Sequence, residues 1–212
     1  MARCTKEEAL ETRRRILDAA EAVFHAQGVA RTSLADVAEA ANVTRGAIYW
    51  HFKNKGDLFV AMCERVRLPM ETMIEATVDK YENDPLGKFR MKCVFLFNDA
   101  MNNPHSRKVF DIVYHKCEFV DAKDPIMVRQ HECYQRGMTN IEKMLANAIE
   151  KGQLPRNLDI RQATIMLHAT VVGLMNNWLF SPSSFDLLKD GEILIDICLN
   201  NLRSGVPSLK DR

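Results

Sequence analysis

The stretch Val43-Thr44-Arg45-Gly46-Ala47-Ile48-Tyr49-Trp50-His51-Phe52-Lys53-Asn54-Lys55 gathers hydrogen-bond donors onto what reads as a short helix and the turn after it. An arginine can give two parallel N–H bonds to a guanine edge, and an alanine methyl can rest on a thymine methyl. Arg45 and Ala47 are therefore candidates for reading bases. Gly46, between them, has no side chain, so the helix backbone can come close to a groove wall. Tyr49, His51 and Lys55 carry donors suited to phosphate oxygens, contacts that set register without reading sequence. Thr44 reads as the residue that starts this helix and is counted among the DNA-contacting residues. Ser33, with the amides that open the preceding helix, is a further phosphate contact. Ile48 and Phe52 face inward, and Trp50 is assigned with Phe52 to a small apolar core.

Three short elements must hold these groups in place. Ile16, Ala19, Ala20, Val23 and Phe24 make one apolar stripe on a first helix, and Gly28 sits where a helix commonly stops. Ser33, with Asp36 three residues on, is an N-terminal capping pattern. It opens a second helix whose inward residues are Leu34, Val37, Ala38 and Ala41. Asn42 falls in the turn before Thr44, and asparagine tolerates the left-handed backbone such a turn needs. Two short helices joined this tightly form a helix-turn-helix, which places its second helix in the major groove of DNA.

Charge supports a local contact with phosphate rather than a general one. The 212-residue chain has a net charge of +1, with nine Lys/Arg against seven Asp/Glu in residues 1–55 and 20 against 21 in the rest. Arg3, Lys6, Arg13, Arg14 and Arg15 cluster at the start. A small basic end on a near-neutral body suits local binding of a polyanion. No apolar run reads as long enough for a membrane span, and no signal-peptide core opens the chain. The expectation is a cytoplasmic protein. The six cysteines, Cys4, Cys63, Cys93, Cys117, Cys133 and Cys198, include no CxxC pair, which argues against a disulfide framework or a structural zinc site. His115 and Cys117 are two apart and do not share a helix face, so they are not read as metal ligands. No catalytic triad order, phosphate loop or nucleotide fingerprint is present, so an enzyme is not expected, and neither is a cofactor or metal.

The remaining chain also has helical period. A fourth helix starts at Asn54-Lys55 and carries Leu58, Met62 and Val66, with a kink or break expected at Pro69. A fifth opens at Pro85-Leu86-Gly87 and ends at Asn102-Asn103-Pro104. A short sixth surrounds Val109, Ile112 and Val113, and a long seventh runs from Ile126 to about Lys151. Asp159 caps an eighth, which reaches Phe180 and is apolar on more than one face, the pattern of a buried helix or a subunit interface. A ninth is expected from Asp190 to Leu202.

The run from Thr32-Ser33-Leu34-Ala35-Asp36-Val37-Ala38 through Lys55 resembles the signature of the TetR family of transcriptional repressors. The resemblance extends to the AcrR branch through Met1-Ala2-Arg3 with Thr5-Lys6-Glu7-Glu8-Ala9, His115-Lys116-Cys117-Glu118-Phe119, Gly173-Leu174 with Asn177-Trp178-Leu179-Phe180, and Ser184-Phe185-Asp186-Leu187. Asn42 departs from it, since the family more often has glycine there. The implied fold is all-α: a three-helix helix-turn-helix DNA-binding domain over 1–55 and a helical ligand-binding and dimerisation domain over 56–212. The implied partners are a palindromic double-stranded DNA operator, a second copy of the chain and a hydrophobic, drug-like inducer. The implied role is control of a multidrug efflux operon of the resistance-nodulation-division type.

An effector pocket in the C-terminal body also follows from the resemblance, and large, mostly apolar side chains are compatible with it. They are Val66 and Met70 on the fourth helix and Phe89, Cys93, Leu96 and Phe97 on the fifth. Phe110, Val113 and Tyr114 lie on the sixth, and Tyr134, Met138 and Ile141 on the seventh. The eighth offers His168, Val171, Val172, Met175 and Asn176. Tyr114, Tyr134, His168 and Asn176 can supply the few polar groups that orient a ligand. The same stripes also fit a packed core. Val171, Leu174, Ile193, Ile197 and Leu202 make a dimer face on the last two helices reasonable. A metabolite or oxidant as input, in place of a drug, is the alternative. A helical adaptor that no longer binds DNA is disfavoured by intact Arg45, Gly46, Tyr49, His51 and Lys55.

Overall fold

The computed structural model describes residues 5–76, 81–118 and 124–204, apart from the side chains of residues 70, 71 and 73–76. All regular structure among these residues is helical, apart from isolated turns. The helices are α1 (Lys6–Gln27), α2 (Leu34–Ala40), α3 (Arg45–His51), α4 (Lys55–Ala76), α5 (Pro85–Asn102), α6 (Pro104–His115), α7 (Pro125–Glu150), α8 (Ile160–Phe180) and α9 (Leu187–Arg203). Local chemistry explains most of the boundaries. Thr5 and Ser33 each make a reciprocal capping box, with Glu8 and Asp36 respectively. Thr44, Asp84, Asp159 and Asp186 cap α3, α5, α8 and α9 through their side-chain oxygens. Gly28 ends α1 at φ 82°. Asn42 takes the left-handed turn expected of it, at φ 51°.

Two boundaries differ from expectation. Helix α9 starts before Asp190, because Asp186 accepts from the Lys189 amide at 2.9 Å while Asp190 accepts from the Asp186 amide at 3.0 Å. Helix α4 runs through Pro69 to Ala76. The chain divides into two compact units, one of residues 1–69 with 104–130 and one of residues 70–103 with 131–212. This differs from the expected division at residue 55. The reason is the core of the first unit: Ile16, Phe24, Val37 and Ile48 pack in one cluster with Leu58, Phe59 and Met62 of α4 and Val109 and Ile112 of α6. The head therefore includes residues 55–69 of α4 and all of α6.

Charged groups fix α6 and α4 on α1 in this unit. Glu21, only 3% exposed, meets His105 at 2.8 Å and Arg65 at 3.5 Å, and Arg65 also donates to Asp18 at 2.8 Å. His25 lies 3.2 Å from Asp111, which also meets His115 at 2.8 Å. Asp18, Glu21 and His105 bring three potential metal-ligand atoms within 4.8 Å of one another, but the positive charge among them is already the Arg65 guanidinium.

In the second unit α5 packs along α9. Phe97 is fully buried over Gly191, and Arg90 pairs with Glu192 and, at 2.6 Å, with Asp196. Helix α8 is long and apolar enough to cross a membrane by length and composition, contrary to the expectation that no such segment exists. Its Ala163, Thr164, Leu167, Met175, Trp178 and Leu179 are buried inside the unit, while Ile165 and Phe180 stay exposed.

Candidate nucleic-acid interface

Helix α3 is held by one face only. Ile48 and Phe52 are buried in the core with α1 and α2, as expected. Thr44 accepts from the Ala47 amide at 3.1 Å, which leaves its own hydroxyl proton free to donate. On the other side Arg45 and Gly46 are exposed, Tyr49 is 60% exposed and Ala47 and His51 are half-buried. Among the described residues no acceptor pairs with the Arg45 guanidinium. A methyl built on Gly46 would meet nothing closer than the Thr44 hydroxyl at 3.8 Å. The protein's own packing therefore gives no reason for glycine there.

Trp50 changes assignment, and Ser33 and Lys55 are found already engaged within the protein. Trp50 is 72% exposed rather than part of the core, with its ring edge-on to His51 at 4.5 Å. It lies one helical turn beyond Gly46, on the line of α3 most open to solvent. Helix numbering from the buried Ile48 and Phe52 places it there. Ser33 is held by its own cap: its hydroxyl donates to Asp36 at 2.9 Å and accepts from the Asp36 amide at 3.2 Å. In this arrangement it has no proton left for a phosphate. Lys55 is half-buried and hooks back onto the loop after α1, donating to the carbonyls of Val29 at 2.8 Å and Ala30 at 3.1 Å. One N–H remains for a phosphate. Lys55→Met should cost about 1–3 kcal/mol of stability by orphaning two carbonyls of charge-assisted bonds, readable as a lower melting temperature. An unchanged melting temperature with a flatter salt dependence of DNA binding would make its role purely electrostatic.

The effector residues fall in both units. In the first, Val66 and Val113 pack on the head's core, Phe110 is half-buried, and burial pushes the Tyr114 phenol up to about 12, so it stays a hydrogen-bond donor. Met70 lies outside the described side chains. In the second, Phe89, Cys93, Phe97, Ile141 and Met175 are buried, while Leu96, Met138, His168, Val171, Val172 and Asn176 are half-buried and Tyr134 is exposed. Phe97 is taken up by its contact with Gly191 and is a packing residue. Tyr134 and His168 do come together, edge to face at 5.0 Å, with Gly137 leaving room beside the imidazole. Desolvation holds His168 below its ordinary pKa, which favours a neutral ring that can both donate and accept. Burial pushes the Cys93 and Cys117 thiols up to about 12, away from the thiolate that oxidants attack.

A short helix exposed on one face, set after a tight turn from α2 and seated by Ile48 and Phe52 on the core of the first unit, is the helix-turn-helix arrangement of a transcriptional regulator. Comparison with known proteins is specific. Residues 16–62 match the N-terminal region of the bacterial regulatory proteins of the tetR family, and residues 84–204 match the C-terminal region of MAATS-type transcriptional repressors. The chain belongs to the TetR family of transcriptional repressors. It is 40% identical over 199 residues to the regulator AcrR of Shigella flexneri, covering 94% of this chain and 93% of that one, as the resemblance to the AcrR branch implied. The crystal structure of NalD, the secondary repressor of the MexAB-OprM multidrug efflux pump in Pseudomonas aeruginosa, superposes with a TM-score of 0.82 at 34% identity, covering 95% and 100% of the two chains. A complex of SmeT, from Stenotrophomonas maltophilia, with triclosan gives 0.80 at 34% identity, covering 93% and 96%. These relatives are regulators, not enzymes.

Proposed function

We propose that this protein represses a multidrug efflux operon, binding a palindromic operator as a homodimer in the cytoplasm and leaving it when a hydrophobic drug-like molecule binds the body. The observation that carries this reading is the open face of α3, where Arg45, Gly46, Tyr49 and Trp50 are exposed side by side. Arg45 and Ala47 read bases, Thr44, Tyr49 and His51 hold phosphates, and Trp50 adds apolar contact. NalD, a repressor of an efflux pump, and SmeT, complexed with triclosan, support the drug-linked role. Leu96, Met138, Tyr134 and His168 supply the apolar and polar groups for such a ligand.

Dimerisation uses the face of α8 and α9 on which Ile165, Ile193, Leu194 and Ile197 are exposed, with Phe180 81% exposed at the end of α8. Leu202, assigned to that face from sequence, is buried within its own unit and stabilises the body instead. A ligand shifts the equilibrium only by its differential affinity for the two states, so an inducer must bind the DNA-free form more tightly. The metabolite alternative has no specific observation in its favour, and oxidant sensing is opposed at buried Cys93 and half-buried Cys117 by thiol pKa values pushed up to about 12.

The test is binding of the purified protein to the DNA just upstream of its own gene, at fixed salt, with and without triclosan and a panel of dyes and bile salts. Trp50 fluorescence gives a direct readout, because Trp178 is buried. Specific binding released by such compounds is expected; specific binding that none releases would overturn the drug-responsive part. Arg45→Ala should weaken operator binding by about 1–3 kcal/mol and relax sequence preference at one base pair. Wild-type affinity and preference in that variant would remove Arg45 from base reading.

A further inference from the structure

We propose that Arg13 of α1 and His51 at the end of α3 form one anion site that grips a single backbone phosphodiester of the operator. This rests on the DNA-binding reading above and adds a residue from a helix outside the helix-turn-helix. The Arg13 guanidinium carbon lies 5.2 Å from the ring centroid of Phe52, which is buried and terminates α3. A planar cation stacked on a fixed ring has a set position. His51 neighbours the same ring, its own centroid 6.2 Å from that of Phe52.

The contrast with its neighbours indicates what Arg13 is for. Arg14 is engaged by Glu11 at 2.7 Å and Arg65 by Asp18 at 2.8 Å. Among the described residues no carboxylate or carbonyl accepts from Arg13. Its guanidinium keeps its N–H donors for a ligand, and the donor fork matches two oxygens of a phosphate. The Phe52 and His51 rings that share this site carry no acid. Desolvation first, and then the charge of Arg13, hold the His51 pKa below the ordinary histidine value. Two donors brought together without an anion between them are complementary to one. At the end of a recognition helix the available anion is the DNA backbone.

The experiment measures binding to the upstream DNA and to an unrelated duplex across a salt series, for wild type, Arg13→Met and Arg13→Lys. Methionine keeps an apolar chain on Phe52 without the charge, and lysine keeps the charge. Arg13→Met is expected to weaken both duplexes about tenfold and to lower the slope of log K against log salt by about 0.9, the value for one lost phosphate contact. Arg13→Lys should recover most of the slope. Replacing operator phosphates one at a time by methylphosphonates should find one whose neutralisation weakens wild type but not Arg13→Met. Wild-type affinity and slope in Arg13→Met would overturn the proposal. So would a lower melting temperature with an unchanged slope, which would assign Arg13 to packing on Phe52. Failure of the wild-type protein to bind any DNA would instead overturn the repressor reading, and this proposal with it.

Discussion

Gly46→Ala is expected to give a protein that melts slightly higher and binds its operator more weakly. Alanine gains about 0.5–1 kcal/mol over glycine inside a helix. The new methyl would have no protein neighbour closer than 3.8 Å, so nothing offsets that gain. The melting temperature should rise by about 2 °C. Against a groove wall the same methyl overpacks a close contact, which costs about 1–3 kcal/mol, or about five- to 150-fold in affinity. A thermal melt and a DNA titration on the same sample check both halves. Unchanged operator affinity would mean that the backbone of α3 does not approach DNA closely at Gly46, and the docking assigned to Arg45 and Ala47 would fall with it.

Gly191→Ala should do the reverse. Here an added methyl lies 2.8 Å and 2.9 Å from atoms of the Phe97 ring, well inside contact distance. Phe97 is fully buried, so the ring has no open space to enter. The cost of overpacking, about 1–3 kcal/mol, exceeds the helix gain. The melting temperature should fall by roughly 2–10 °C. Combining the change with Phe97→Leu, which shortens the opposing side chain, should return part of the loss, because contacting residues are not additive. A Gly191→Ala protein as stable as wild type would show that α5 and α9 do not meet through this pair. DNA affinity at low temperature should be unaffected, since the contact lies in the body.

These two glycines mark the limit of what a sequence can say. Both sit inside helices, yet one is free of its own protein and the other is pressed against it. The features legible in sequence were those set by residues three or four apart. Ser33 with Asp36, Thr44, Asp159 and the left-handed Asn42 placed the head helices and the start of α8, because capping and turn chemistry act over one helical turn. The recognition motif and the family followed from the same short stretch. What tertiary structure decided depended on residues distant along the chain. Lys55 was claimed by carbonyls 25 and 26 positions away, and Phe97 by a glycine on α9. The head's core extended to α4 and α6, which moved the boundary of the compact units away from residue 55. Trp50 was left in solvent because the cavity beneath α3 was already filled by Ile48 and Phe52. Helical period shows which residues share a face, but which groups are desolvated, and by what partner, is fixed only when separate segments pack together.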